Sequence, residues 1–369
     1  MTTLPPHVTE SKESTLRVVA IGGGTGLSTL LRGLKRYVAT PERRKGVRLV
    51  HTPEKEARPA PCPSLRCVIR ELSAVVTVTD DGGSSGRLRE DFKMLPPGDI
   101  RNCMVALSED EHLLSKLFQF RFEHGDLEGH SFGNLFVAAL SHITGDFAQA
   151  VQMSSQILAT RGRIFPSTNT NVALSAEMDD GSLVRGETNI TASRRSIVEL
   201  RLEPATAGPL PETLEAIANA DLITLGPGSL YTSLITNLLV HGIPEALAAS
   251  RATKVFVCNL MTQANESLGL SASQHLEKIR QHAAAARLPI FDYALINTGP
   301  ISPARLDQYA REGQQPIETD LDRVRAMGVE PITGNFVHEG GVLRHDYDLV
   351  AERLLKLALE RPVRALATR

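Results

Sequence analysis

The sequence has no tryptophan and only 4% aromatic residues, which weighs against the stacking platform that a flavin-like ring would need. Its four cysteines, Cys62, Cys67, Cys103 and Cys258, form no C-x-x-C pair, so a disulfide framework is not expected. Neither sign of charge dominates. With 40 Lys and Arg against 42 Asp and Glu, there is no global positive field of the kind that drives non-specific nucleic-acid binding. No apolar run approaches the ~18 residues of a membrane span. The start, "MTTLPPHVTESKES", lacks the basic stretch and apolar core of a signal peptide. The expectation is a cytoplasmic protein with no membrane span and no nucleic-acid partner.

What is present is the balance of a globular chain. Its 369 residues, 42% hydrophobic and 22% charged, suffice for one large α/β domain with insertions. "RVVAI" reads as a first strand, handed by glycines to a helix over 27–37, where Leu27, Leu30, Leu31 and Leu34 repeat with helical period. The stretch 38–70, rich in Pro, Arg, Lys and Glu, reads as a surface insertion. "LSAVVTVTDD" resumes strand character, and "PPGDIRN" and "GHSFGN" open further helices. Over 163–204 apolar and polar residues alternate around "MDDG", which predicts a small β-rich insertion. "DLITL", "KVFVCNL" and "YALINTG" then alternate with helices, one over 271–285. The predicted fold class is therefore α/β: a Rossmann-like, largely parallel, doubly wound sheet with right-handed crossovers. A single domain over 17–358 is expected, with tails at 1–16 and 359–369.

In such sheets ligands bind beyond the carboxyl ends of the strands, and four loops stand there: 22–28, 80–87, 226–233 and 259–263. The first loop fails both common phosphate motifs. It lacks the third glycine of the dinucleotide fingerprint, and no Lys follows Gly26 as in a P-loop. General physics still favours an anion at Gly23, Gly24, Thr25 and Gly26, with Ser28 and Thr29 adding hydroxyls; a tight packing turn is the competing reading. Asp80 and Asp81 end the second strand, placed to meet a ribose hydroxyl, to hold Mg²⁺, or merely to form a turn before Gly82. Ser84, Ser85 and Arg87 add donors, although Arg87 could equally pair with Glu90. Asp99, Arg101 and Asn102 follow, Asp99 being well placed as a helix N-cap. Polar ligand contact by Asn134 is favoured over catalysis by His130, and no zinc-site spacing or Ser-His-Asp set stands out. Gly226, Gly228, Ser229, Tyr231, Thr232 and Ser233 repeat the opening theme as a second anion or sugar-hydroxyl site. Asn259 lies on the loop at 259–263. Near the end, Arg344, His345 and Asp346 stand either against a ligand or at the cap of the last helix.

Together "IGGGTGLSTLLRGLK", "VTVTDDGGSSGRLR", "PPGDIRNCMVAL", "GHSFGNL", "ADLITLGPGSLYTSLITNLLV", "VCNLMTQANES" and "RHD" resemble the gluconeogenesis factor family. That family lies within the superfamily of 2-phospho-L-lactate transferases. The resemblance implies a cytoplasmic bacterial protein required for cell shape and for growth on gluconeogenic carbon. It also implies binding of UDP-sugars such as UDP-N-acetylglucosamine, with the cell-wall synthesis machinery as partner. The superfamily's enzymes instead transfer 2-phospholactate from a guanosine diphosphate carrier to a deazaflavin, so a Mg²⁺-assisted transferase with Asp80 or Asp81 at the metal is the alternative. No metal or other cofactor is otherwise expected, and long apolar helices fit a homodimer. A nicotinamide oxidoreductase rests on fold analogy alone. The chain departs from the family pattern in its long insertion after Tyr37, in Thr236 where proline is usual, and in "QANES" for "QPGET".

Overall fold

The computed structural model describes residues 16–39, 68–109, 113–193, 195–264, 266–283 and 290–360. In chain order the strands are β1 (Leu16–Gly22), β2 (Ile69–Val76), β3 (Arg163–Pro166), β4 (Ala173–Met178), β5 (Leu183–Arg185) and β6 (Ile197–Glu203), then β7 (Leu222–Leu225), β8 (Thr253–Val257), β9 (Tyr293–Asn297), β10 (Glu330–Gly334), β11 (Val337–Glu339) and β12 (Leu343–His345). The helices before β6 are α1 (Gly24–Lys35), α2 (Gly83–Phe92), α3 (Gly98–Leu107), α4 (Leu113–Gln119), α5 (Phe132–Thr144), α6 (Phe147–Ile157) and α7 (Glu187–Ala192). Those after it are α8 (Pro211–Asn219), α9 (Thr236–Leu238), α10 (Ile243–Ala249), α11 (Ala272–His282), α12 (Pro303–Ala310), α13 (Leu321–Ala326) and α14 (Tyr347–Glu360). A π-helix, Leu230–Ile235, runs directly into α9.

Seven strands form one sheet in the order β10-β9-β8-β7-β1-β2-β3, and every neighbouring pair is parallel. Helices cover parallel strands on both faces, which explains why β8 is buried at every residue and β1 at all but Arg17. The leucine period of α1 is real: Leu27, Leu30, Leu31 and Leu34 all pack into the main core. From β1 the chain builds outward through β2 and β3, then returns to the other side of β1 for β7 to β10. Strand order therefore reverses between β1 and β7, and a crevice opens at their carboxyl ends.

Several boundaries differ from those the sequence predicts. Ile69 and Arg70, assigned to the surface insertion, begin β2; the insertion's residues 40–67 lie outside the described residues, as do Cys62 and Cys67. Arg163–Pro166 is the edge strand of the main sheet, because its four residues pair in register with Ser73 to Val76. Only β4, β5 and β6 make the separate antiparallel sheet. Its outer edge is covered: the Tyr231 hydroxyl donates to the Ile197 carbonyl at 3.3 Å, and the Leu200 N–H donates to His282 Nε2 at 3.0 Å. Cys103 and Cys258 are free and buried. Among the described residues no helix is long and apolar enough to cross a membrane.

Candidate functional site

The crevice at the reversal point is a cavity of about 250 Å³. One wall is made by the two glycine loops: Gly23, Gly24, Thr25, Gly26 and Thr29 from the first, Pro227, Gly228, Ser229 and Ser233 from the second. The loop after β8, from Asn259 to Gln263, forms the floor, and Tyr309, Gln314, Leu343, Arg344 and His345 close the far side.

Each glycine of the first loop has its own reason. A Cβ at Gly23 would lie 2.5 Å from Thr77 Cγ2 and 2.9 Å from Asp99 Oδ2, so nothing larger fits. Gly24 has φ +62°, the left-handed region that glycine enters without strain. At Gly26 a Cβ would lie 2.3 Å from the Pro227 carbonyl oxygen, so that position joins the two loops backbone to backbone. Packing and ligand access thus share one motif. The Ser28 and Thr29 hydroxyls both donate to the Thr25 carbonyl, at 3.1 and 2.7 Å.

Asp99 is not an N-cap. Pro97 holds that position, and Asp99 instead accepts the Gly24 N–H on Oδ2 at 2.7 Å. Burial, opposed by that hydrogen bond, pushes the carboxyl up to about 6. The first-turn amides of Thr25 and Gly26 have no protein acceptor among the described residues. The second loop is closed by contrast: the Gly228 N–H points at Asn259 Oδ1 at 3.4 Å, and Thr232 Oγ1 donates to Glu266 Oε1 at 3.1 Å. The Tyr231 N–H also reaches the Glu266 carboxyl, which burial pushes up to about 7 and whose Oε2 has no partner. Tyr231 and Thr232, expected at the ligand, therefore lie outside the cavity; the Tyr231 ring is buried in the core. Gly226 is also outside, where a Cβ would meet the Val257 carbonyl at 2.8 Å.

The acidic and basic residues expected after β2 gather behind Gly23 rather than in the crevice. Asp80 accepts the Gly82 N–H at 3.0 Å, the turn reading, and Asp81 accepts both the N–H and the hydroxyl of Thr188 in α7, at 2.8 and 2.6 Å. Thr79 donates to Glu187, whose carboxyl burial and then Asp80 hold well above its ordinary value. Among the described residues no three His, Cys, Asp or Glu side chains converge as a metal-ligand set. Ser84 Oγ lies between His130 Nδ1 at 3.0 Å and Asn134 Nδ2 at 3.1 Å, and the Ser85 hydroxyl abuts Gly98. Arg87 donates to the Glu128 carbonyl at 2.7 Å rather than pairing with Glu90. Arg101 donates to Asn102 at 2.7 Å, and burial lowers its guanidinium from the usual value.

Eleven of the candidates named from sequence line the cavity: Gly23, Gly24, Thr25, Gly26, Thr29, Gly228, Ser229, Ser233, Asn259, Arg344 and His345. Tyr309 and Gln314 carried no motif, and only their place beyond β9 could have flagged them. Tyr309 belongs to a small second core with Leu260, Met261 and Leu343, and its hydroxyl accepts the Leu343 N–H at 3.1 Å. Asp346 caps α14, accepting the N–H groups of Asp348 and Leu349 at 3.0 and 3.1 Å. Arg344 is exposed on β12 and has no hydrogen-bond or ion-pair partner among the described residues. The lining contains no carboxylate. A guanidinium, open helix amides, hydroxyls and side-chain amides make a surface complementary to an anion with several oxygens.

A parallel α/β fold of this strand order, with its crevice between two glycine loops, defines a Rossmann-like α/β protein. The model of the family described as 2-phospho-L-lactate transferase CofD matches residues 18–337, and the chain belongs to that family. It is similar to the gluconeogenesis factor of Halalkalibacterium halodurans, 44% identical over 92% of this chain and 95% of that one. It is likewise similar to the gluconeogenesis factor of Bacillus subtilis, 42% identical over 93% and 98%. A crystal structure of a UPF0052-family protein from Bacillus halodurans superposes with a TM-score of 0.81 at 44% identity, covering 93% of this chain and 99% of that one.

Proposed function

We propose that the chain is a cytoplasmic regulatory protein that binds a UDP-sugar of the UDP-N-acetylglucosamine type and serves cell-wall and cell-shape homeostasis during gluconeogenic growth. The observation that carries this reading is the acid-free crevice lining, which combines the unclaimed amides of Thr25 and Gly26 with Arg344, whose side chain has no protein partner among the described residues. A diphosphate needs donors and a cation, and it is repelled by carboxylates. Here the carboxylates of Asp80, Asp81, Asp99 and Glu187 stand behind Gly23. The name gluconeogenesis factor, shared by the relatives in Halalkalibacterium halodurans and Bacillus subtilis, supports the link to gluconeogenic growth.

A transferase acting on a nucleoside-diphosphate-linked phospholactate is the second reading, supported by the family's description and by the Asp99 carboxyl, poised near 6 against the phosphate loop. One experiment separates the two. Thermal shift with UDP-N-acetylglucosamine, GDP, NAD and a deazaflavin is expected to raise Tm only with the UDP-sugar, since ligand at a hundredfold above Kd adds about 2.7 kcal/mol. No shift with any UDP-sugar sinks the first reading. Turnover of a guanosine-linked phospholactate establishes the second.

A further inference from the structure

A diphosphate offers only acceptors, so the protein groups that recognise what lies beyond it must be of the opposite kind. Two of the crevice's amide oxygens are already engaged: Asn259 Oδ1 takes the Gly228 N–H, and Gln263 Oε1 faces Asn259 Nδ2 at 3.5 Å. His345 is different. Its Nε2 lies 3.1 Å from the Cys258 carbonyl oxygen, which can only accept, so Nε2 carries the proton. Nδ1 is then a bare lone pair. It has no protein donor among the described residues, is not among the sealed unpartnered atoms, and belongs to a ring that lines the crevice. Burial, opposed by the Cys258 bond, lowers the imidazole to about 4, so it stays neutral around pH 7 and does not act as a second phosphate cation. Arg344 immediately precedes it on β12.

Building on the reading of the crevice as a diphosphate-sugar site, we propose that His345 is its specificity-determining residue. Nδ1 accepts a hydrogen bond from a ligand hydroxyl close to the diphosphate, and the crevice thereby selects a sugar-bearing diphosphate over a bare one. Arg344 holds charge, and His345 reads the hydroxyl.

Two substitutions divide the imidazole's two roles. In His345→Gln the side-chain amide nitrogen can replace Nε2 toward Cys258 while nothing replaces Nδ1. In His345→Asn the side-chain oxygen sits where Nδ1 was, and the Cys258 bond is lost. Titration calorimetry of UDP-N-acetylglucosamine and of inorganic pyrophosphate is run on wild type and both variants. His345→Gln is expected to weaken the nucleotide sugar by roughly five- to tenfold, the worth of one hydrogen bond, and to leave pyrophosphate unchanged. His345→Asn is expected to keep most of the preference. The opposite order, Asn impaired and Gln spared, shows that only the Cys258 bond matters and overturns the proposal. Equal affinity of wild type for both ligands overturns it as well while leaving the crevice reading intact, whereas absence of binding by either ligand overturns both.

Discussion

The two glycine loops look alike in sequence, "GGGTG" and "GPGS" each between an apolar strand and a helix, yet they present opposite surfaces. The first keeps the amides of Thr25 and Gly26 open toward the crevice. In the second the Gly228 N–H turns to Asn259, the Tyr231 N–H and the Thr232 hydroxyl go to Glu266, and Ser229 Oγ accepts from Gln263 Nε2. A helix N-terminus is an anion site only while its donors are unclaimed, and at the second loop the chain itself claims some of them. On the proposed reading the diphosphate therefore rests mainly on the first loop and Arg344.

The largest expected effect tests the joint between the loops. Gly26→Ala places a Cβ 2.3 Å from one backbone atom of Pro227 and 2.7 Å from another, neither of which can swing aside. Such overpacking should cost about 3 kcal/mol, lowering Tm by roughly 4 °C in a chain of this size. An unchanged melting curve would mean that the loops do not pack as described.

Next come the two internal carboxylates. The Asp99 pKa is raised from 3.8 to about 6 and that of Glu266 from 4.5 to about 7, so the native state holds both protons more tightly than the unfolded chain. That stabilisation is complete at low pH and is lost as pH rises, over about pH 4 to 6 for Asp99 and 4.5 to 7 for Glu266. Asp99→Asn should therefore match wild type at pH 4 and exceed it at pH 8 by at most about 3 kcal/mol, less whatever the charged bond to Gly24 contributes. Glu266→Gln should show the same crossover about one pH unit higher. Denaturant melts at several pH values check both; parallel curves for wild type and variants would refute the linkage.

The smallest effect distinguishes Gly24 from Gly26. A Cβ at Gly24 has room, its nearest neighbour being Ser233 Oγ at 3.7 Å, and only the left-handed φ opposes it. Gly24→Ala should cost about 1 kcal/mol of stability. It should also weaken UDP-N-acetylglucosamine, measured by calorimetry, because the methyl group enters the crevice. Full affinity would assign the glycine to backbone geometry alone.

Much of this architecture was legible in the chain. Continuous apolar runs marked β1, β7, β8 and β9, the leucine period marked α1, and glycines after β1 and β7 marked the strand-end crevice. The local partners were not legible. A proline before Gly98 displaced Asp99 from the cap position, and an apolar run broken by serine and threonine gave no sign of the π-helix at Leu230–Ile235. Tyr231 reads as a ligand contact beside a glycine loop, but its ring is drawn inward to cover the β6 edge.

By itself the sequence determined the alternation of strands and helices, the parallel sheet, the place of the glycine turns and the family, because these follow from periodicity and from residue types at fixed local spacing. Tertiary structure alone decided which donors stay open. The carboxylate on Gly24 comes from Asp99, 75 residues away, and the hydroxyl of Thr232 meets Glu266 across 34 residues. A nest and a helix end are local features, but whether a ligand or the protein's own carboxylate fills them depends on which distant segments the packed core brings within hydrogen-bond reach.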